Sequence, residues 1–201
     1  MPTSHRALPI LKIDNKDAPK DILENVLQII VEESLHRPSL FTLVIRNDYK
    51  SGVSADKPWE RQKLFAIGKS ISIGFSRSIL ESEVIAGEEK PEYLIDGEIT
   101  AIETQFTEQT QAPIIVRGYD FSHRLHRGRH NRSFQNMTDS DVIKKIAEEV
   151  NLKTGNDTVD DSGEPHDYLF QENQSNMAFL RQRAARIGLD LFVRARRLYF
   201  R

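Results

Sequence analysis

Between Leu40 and Arg46 the chain reads LFTLVIR, and Phe41, Leu43 and Ile45 alternate with Thr42, Val44 and Arg46. A period of two sets the three large apolar side chains on one face of an extended strand, whereas a helix would scatter them around its circumference. The same period recurs in SISIGF, where Ile71, Ile73 and Phe75 share a face. It recurs again in LQIIVEES, where Leu27, Ile29 and Val31 oppose Gln28, Ile30 and Glu32. LHRP, ending at Pro38, marks a turn between two of these runs, and APIIVRGY supplies a further strand that ends over Arg117 to Tyr119. EYLIDGEITAIETQF is longer, and Ile99, Ile102 and Phe106 slip out of period two, which predicts a bulge or bend between Gly97 and Ala101. Ile22, Leu23, Val26, Leu27 and Ile30 also fit a helical stripe, which resolves as a short helical turn after Pro19 followed by a strand.

The period changes to 3.6 in the second half. In TDSDVIKKIAEEV, Thr138 is a helix N-cap with Asp141 at the capping-box spacing, a place usually held by Glu or Gln. Val142, Ile143, Ile146, Ala147 and Val150 form its apolar face. In SNMAFLRQRAARIG, Ser175 caps, Met177, Leu180, Ala184 and Ile187 make the stripe, and Gly188 ends the helix. KTGNDTVDDSGEPHD between the helices is polar and predicts an exposed loop. LDLFV and RLYF flank an Arg-rich turn and predict a hairpin that runs to the last residue, from which a longer parent chain is expected. The fold class is therefore α+β: a mainly antiparallel, barrel-like β domain over residues 1–118, then an α+β part over 119–201 with two helices and a terminal hairpin.

Composition narrows the chemistry. With no cysteine among 201 residues, disulfides and Cys-based zinc sites are excluded, and folding inside the cell is expected. No apolar run approaches the roughly 20 residues of a membrane span, and MPTSHRALPILK lacks the features of a signal peptide. Acids and bases nearly balance, at a formal net charge of -2. Against that balance, RGYDFSHRLHRGRHNR at 117–132 holds five arginines and three histidines. Of its histidines, His123, His126 and His130, only His126 and His130 have the i, i+4 spacing of a metal-binding helix, and Gly128 between them makes the setting unhelical, so no metal site is expected. Asp157, Asp160, Asp161 and Glu164 miss the calcium-loop spacing because Val159 stands at a ligand position. No carboxylate pair stands in an apolar setting, and no nucleophile elbow or phosphate loop is present. No catalytic residue and no cofactor is expected. A second basic group, Arg181, Arg183, Arg186, Arg194, Arg196, Arg197 and Arg201, keeps a basic nucleic-acid-binding domain as the alternative function. Arginine also covers apolar surface and pairs with carboxylates, which favours an interface or structural role.

Three segments, in order, carry more than their chemistry: GEIT at 97–100, VRGYDFSHRLHRGRHNRSFQNMTDSDVIKKIAEE from Val116, and YLFQENQSNMAFLRQRAARIGLDLFV at 168–193 followed by LYF. They resemble the VgrG-like and phage late-control-D proteins, and among them the spike-hub proteins of extracellular contractile injection systems, from VEESLHRPSLFTLVI onward. The resemblance implies a structural, non-enzymatic baseplate hub, a homotrimer that adapts a hexameric inner tube to a trimeric spike. Implied partners are copies of the chain itself, inner-tube proteins, baseplate and spike-tip proteins, and effector cargo. Assembly in the cytoplasm into a phage-tail-like particle, with release outside the cell as a further stage, follows from the same likeness. Family-motif positions would be Gly97, Glu98, Arg117, Gly118, Tyr119, Asp120, His123, Arg124, Arg127 and Arg129. Among them Gly97 and Gly118 would serve bends, Tyr119 and Asp120 would anchor, and the arginines would meet acidic surfaces of a neighbouring chain. Members continue into a second barrel, an oligonucleotide-fold neck and often a needle, so this chain would be the first portion of a hub or one part of a split gene.

Overall fold

The alternating stretch Leu40–Ile45 is a strand whose Phe41, Leu43 and Ile45 are sealed from solvent. The computed structural model describes residues 8–34, 36–46, 64–76, 92–104 and 113–201. They fall into two compact units, Met1–Glu33 with Ser39–Tyr119, and Ser34–Pro38 with Asp120–Arg201.

In the first unit the elements are β1 (Leu8–Ile13), β2 (Lys16–Asp17), α1 (Lys20–Glu24), β3 (Val26–Glu32), β4 (Leu40–Ile45), β5 (Ser70–Ser76), β6 (Glu92–Thr104) and β7 (Ile114–Asp120). The strands form one curled half-barrel sheet in the order β2-β1-β5-β6-β7-β4-β3. The helical turn after Pro19 is α1, and it buries Ile22 before the chain extends into β3.

Two bulges change the expected faces. Register shifts between Val26 and Gln28, so Leu27 is the extra residue and lies 50% exposed, while Val26, Ile29 and Val31 pack on the core. Opposite β5 the shift falls at Leu94, which β6 turns outward, and beyond it Gly74 is buried and Phe75 exposed. On β6 itself Ile95, Gly97 and Ile99 are buried, Ala101 is exposed and Ile102 returns to the core, the slip that the sequence pattern announces. Phe106 lies outside the described residues.

The second unit contains a 3-10 helical segment (Phe121–His126), β8 (His130–Met137), α2 (Asp139–Glu149), β9 (His166–Gln174), α3 (Asn176–Ile187), β10 (Leu191–Arg194) and β11 (Arg197–Phe200). The capping box forms with Asp141: its backbone N–H donates to Thr138 Oγ1 at 3.1 Å, and the Thr138 N–H donates to Asp141 Oδ2 at 3.3 Å. Ser175 accepts from the Ala178 N–H, and α3 ends at Gly188, whose φ of 72° is the left-handed cap. Val142, Ile143, Ile146 and Ala147 are buried, whereas Ile187 is exposed; Phe179 takes its place in the α3 stripe and stacks on Phe134 at 5.9 Å.

The strands β8 and β9, for which the sequence pattern predicts no element, pair antiparallel, and β9 begins within the last two residues of the expected polar loop. Their inward side is partly polar: Gln171 is buried and accepts from Arg132 Nε at 2.8 Å, while Tyr168 and Phe170 point outward. The stretch 153–165 is not wholly exposed either. Thr158 and Val159 are buried, and parallel bridges from Lys153 to Arg197 and from Val159 to Phe200 tie it to β11.

A buried ion pair joins the two helices. Arg183 donates to Asp139 through Nε at 2.5 Å and Nη2 at 3.0 Å, and His166 Nε2 lies 3.1 Å from the same carboxylate. Burial pushes the Asp139 carboxyl up, but hydrogen bonds from Arg183 and His166 outweigh it, and the group sits below its ordinary value of 3.8.

Two outcomes follow from this packing. Ile146→Ala is expected to lose about 2–5 kcal/mol in urea unfolding, against less than about 0.5 kcal/mol for the exposed Lys144→Ala; equal losses would misplace the face of α2. Asp139→Asn leaves the Arg183 charge uncompensated and is expected to cost about 3–5 kcal/mol at pH 7. A carboxylate with a depressed folded pKa contributes stability above its unfolded pKa and loses it as pH falls through the folded one. The gap between wild type and variant should therefore narrow below pH 3.8, and a gap that stays constant in melts from pH 7 to 3 would remove Asp139 as its source.

Candidate functional site

The motif positions divide between the units. In the first, β7 pairs Gly118 opposite Phe41 of β4, with β6 on its other side. A Cβ at Gly118 would fall against the Glu98 carbonyl oxygen and within 2.6 Å of Phe41 Cε1. Neither Gly97 nor Gly118 has a positive φ, so a left-handed backbone is not what calls for glycine at these positions. Gly118 instead admits a neighbouring strand and an aromatic ring into the space of a side chain. Gly97 is buried opposite Ile71, and Glu98 is buried opposite Ser70. Arg117, on the outer face, pairs with Glu103 at 3.3 Å, and Tyr119 is 41% exposed.

In the second unit the chain turns at once into the 3-10 segment because Asp120 caps it, accepting from the Ser122 N–H at 2.8 Å. That turn brings His123 back over the cap. Its Nδ1–H donates to the Asp120 carbonyl oxygen at 2.7 Å and its Nε2 accepts from Arg127 Nη2 at 2.6 Å, the arrangement of a neutral imidazole. Arg124 lies over the Phe121 ring and donates to the Val150 carbonyl at 3.1 Å, closing the C-terminal end of α2. Arg129 donates to the Asn173 carbonyl at 2.7 Å, at the end of β9. Asp120, His123 and Arg127 thus form one chain of contacts, while Arg124 and Arg129 serve different elements.

Arg132, quoted in the basic run but outside the motif positions, is the most connected of the group. Besides Gln171 it reaches Glu149 at 2.6 Å and Asn176 at 2.9 Å, and it covers the Phe134 ring. Its place two residues before Phe134 in a period-two stretch is the signal that could have found it. The acidic loop meets the terminal arginines. Asp157 pairs with Arg197, whose hydrogen bond holds the carboxyl below its ordinary value, and Asp160 faces Arg201 at 3.4 Å. Among the described residues no three His, Cys, Asp or Glu side chains gather as a metal set, and no helix is long and apolar enough to cross a membrane.

No curated protein matches the chain. Among solved structures, the 43 kDa tail protein of prophage MuSo2 from Shewanella oneidensis superposes at a TM-score of 0.68 with 16% identity, over 97% of this chain and 53% of that one. A tail protein from Neisseria meningitidis MC58 gives 0.62 and 13%, over 96% and 50%. The E. coli c3393 protein, described as a component of the type VI secretion system with structural similarity to T4 bacteriophage tail proteins gp27 and gp5, gives 0.54 and 19%, over 94% and 48%. The chain spans about half the length of each of these structures, and at such identities the likeness is one of fold. The model of the Alg8 N-terminal domain family matches residues 10–200, through both units, and the chain belongs to that family.

Proposed function

We propose that the chain is a non-enzymatic structural component of a phage-tail-like contractile injection machine, and within it the VgrG-like, late-control-D hub piece that joins a hexameric inner tube to a trimeric spike. The observation that carries this reading is a fold shared with tail and type VI secretion proteins over at least 94% of the chain. The three quoted sequence segments add to it, since they fall in the same order along both units. Inner-tube, baseplate and spike-tip proteins are the proposed partners.

The nucleic-acid alternative loses its footing in the arginines. Arg124, Arg129 and Arg181 are engaged by backbone carbonyls of Val150, Asn173 and His36, and Arg132 and Arg183 by buried polar groups. Side chains already committed to internal acceptors add little to phosphate binding. The same contacts support reading Arg124, Arg127 and Arg129 as braces within their unit.

If the chain is the trimeric hub, purified particles will contain three copies of it, countable by quantitative mass spectrometry against the tube protein; six copies, or none, would overturn the assignment. If the arginines are braces, Arg124→Ala will lower the stability of the isolated chain by about 1–2 kcal/mol, and Arg129→Ala by less. Unchanged melting together with a loss of salt-dependent DNA retention would restore the nucleic-acid reading.

A further inference from the structure

Where α2 ends, the second unit opens a cleft of about 560 Å3 whose walls carry Lys144, Lys145, Lys153 and Arg196 against a single carboxylate, Glu148. None of these four cations is ion-paired among the described residues. Elsewhere in the same unit arginines find partners: Arg132, Arg183, Arg197 and Arg201 each meet a carboxylate. Four convergent positive charges against one carboxylate leave a net positive cleft, so the free cleft is electrostatically incomplete.

The cleft is also held in place. The Lys153 N–H donates to the Arg196 carbonyl at 3.0 Å, and the Leu198 N–H donates to the Lys153 carbonyl at 2.9 Å, which fixes the backbones of Lys153 and Arg196 side by side. The Arg196 guanidinium lies over the Phe121 ring at 4.2 Å and the Lys145 ammonium over Phe134 at 5.6 Å, contacts that hold both side chains without neutralising them. The hairpin turn that delivers Arg196 places both Ala195 and Arg196 at positive φ, 47° and 62°, where such turns favour Asn and Gly. Strain of this kind collects where a side chain must be aimed.

We infer that this cleft binds an acidic peptide segment of a partner protein. Three features favour a peptide over a phosphate ligand. Leu152 and the lysine stems give the cleft an apolar floor, which suits side chains interleaved with carboxylates. The Glu148 carboxylate in the wall opposes a compact polyanion, and among the described residues lining the cleft no glycine-rich turn presents a cradle of backbone N–H groups. The site stands whether or not the chain serves in a tail, because binding and copy number are separate measurements.

The test uses the full chain and a fluorescein-labelled decapeptide in which glutamates alternate with leucine and glycine, beside its glutamine counterpart. At about 50 mM salt the glutamate peptide is expected to bind saturably and at least about tenfold more tightly than the glutamine peptide. The double variant Lys144→Gln, Lys153→Gln should weaken that binding by about tenfold or more with an unchanged melting temperature, while Lys20→Gln in the first unit should not. Equal binding of the two peptides, no binding of either, or full retention by the double variant would overturn the site. Tripolyphosphate binding more tightly than the peptide, and lost in the same double variant, would overturn the peptide in favour of a phosphate ligand.

Discussion

The contact between Asp139 and Arg183 sets the terms for everything around it in the second unit. One carboxylate, at the first residue of α2, is shared between a guanidinium in the middle of α3 and an imidazole at the start of β9. In a medium that excludes water, neither charge can be left behind when an element shifts. The pair therefore fixes where α2 begins, and the apolar face of Val142, Ile143 and Ile146 follows from that starting point. A hydrophobic contact alone would tolerate sliding by a residue; a bidentate fork does not.

Arginine plays this part repeatedly. Arg124 closes one end of α2, Arg132 links β8, β9 and both helices, and Arg183 locks the other end. Each has an aromatic ring or a carboxylate alongside it, so the stems fill space that a core would otherwise give to leucine. A small α+β unit with short strands gains a single arrangement from such directional contacts. Four arginines of the basic run, Arg124, Arg127, Arg129 and Arg132, each donate to an acceptor within their own unit.

That explains which elements were legible. β4, α1, both long helices with their caps and the terminal hairpin follow from local rules: alternation, a capping box with Asp141, a left-handed glycine after α3. β8 and β9 were hidden because their inward positions, Arg132 and Gln171, are polar, while Tyr168 and Phe170 face out. Period-two reading needs an apolar side, and here the side is a hydrogen-bond network. The bulges at Leu27 and Leu94 arise from pairing with partners remote in sequence, which no local window contains. Of the motif positions, Gly118 is the one whose lack of a side chain the close approach of Phe41 and the Glu98 carbonyl accounts for. The roles of His123 and Arg127 depend on a turn whose geometry comes from Asp120.

Gly118 has a wider meaning for comparing remote relatives. Chains that agree at 13–19% of positions can be slid against one another by a residue or two with little change in score. A strand slipped by one residue, however, exchanges its buried and exposed faces. The spot where Phe41 and the Glu98 carbonyl crowd the backbone tolerates no side chain, so a correct superposition must bring a residue without a Cβ to that point or open the sheet. One missing methyl group thus acts as a fiducial mark for register across sequences too divergent to align by their letters.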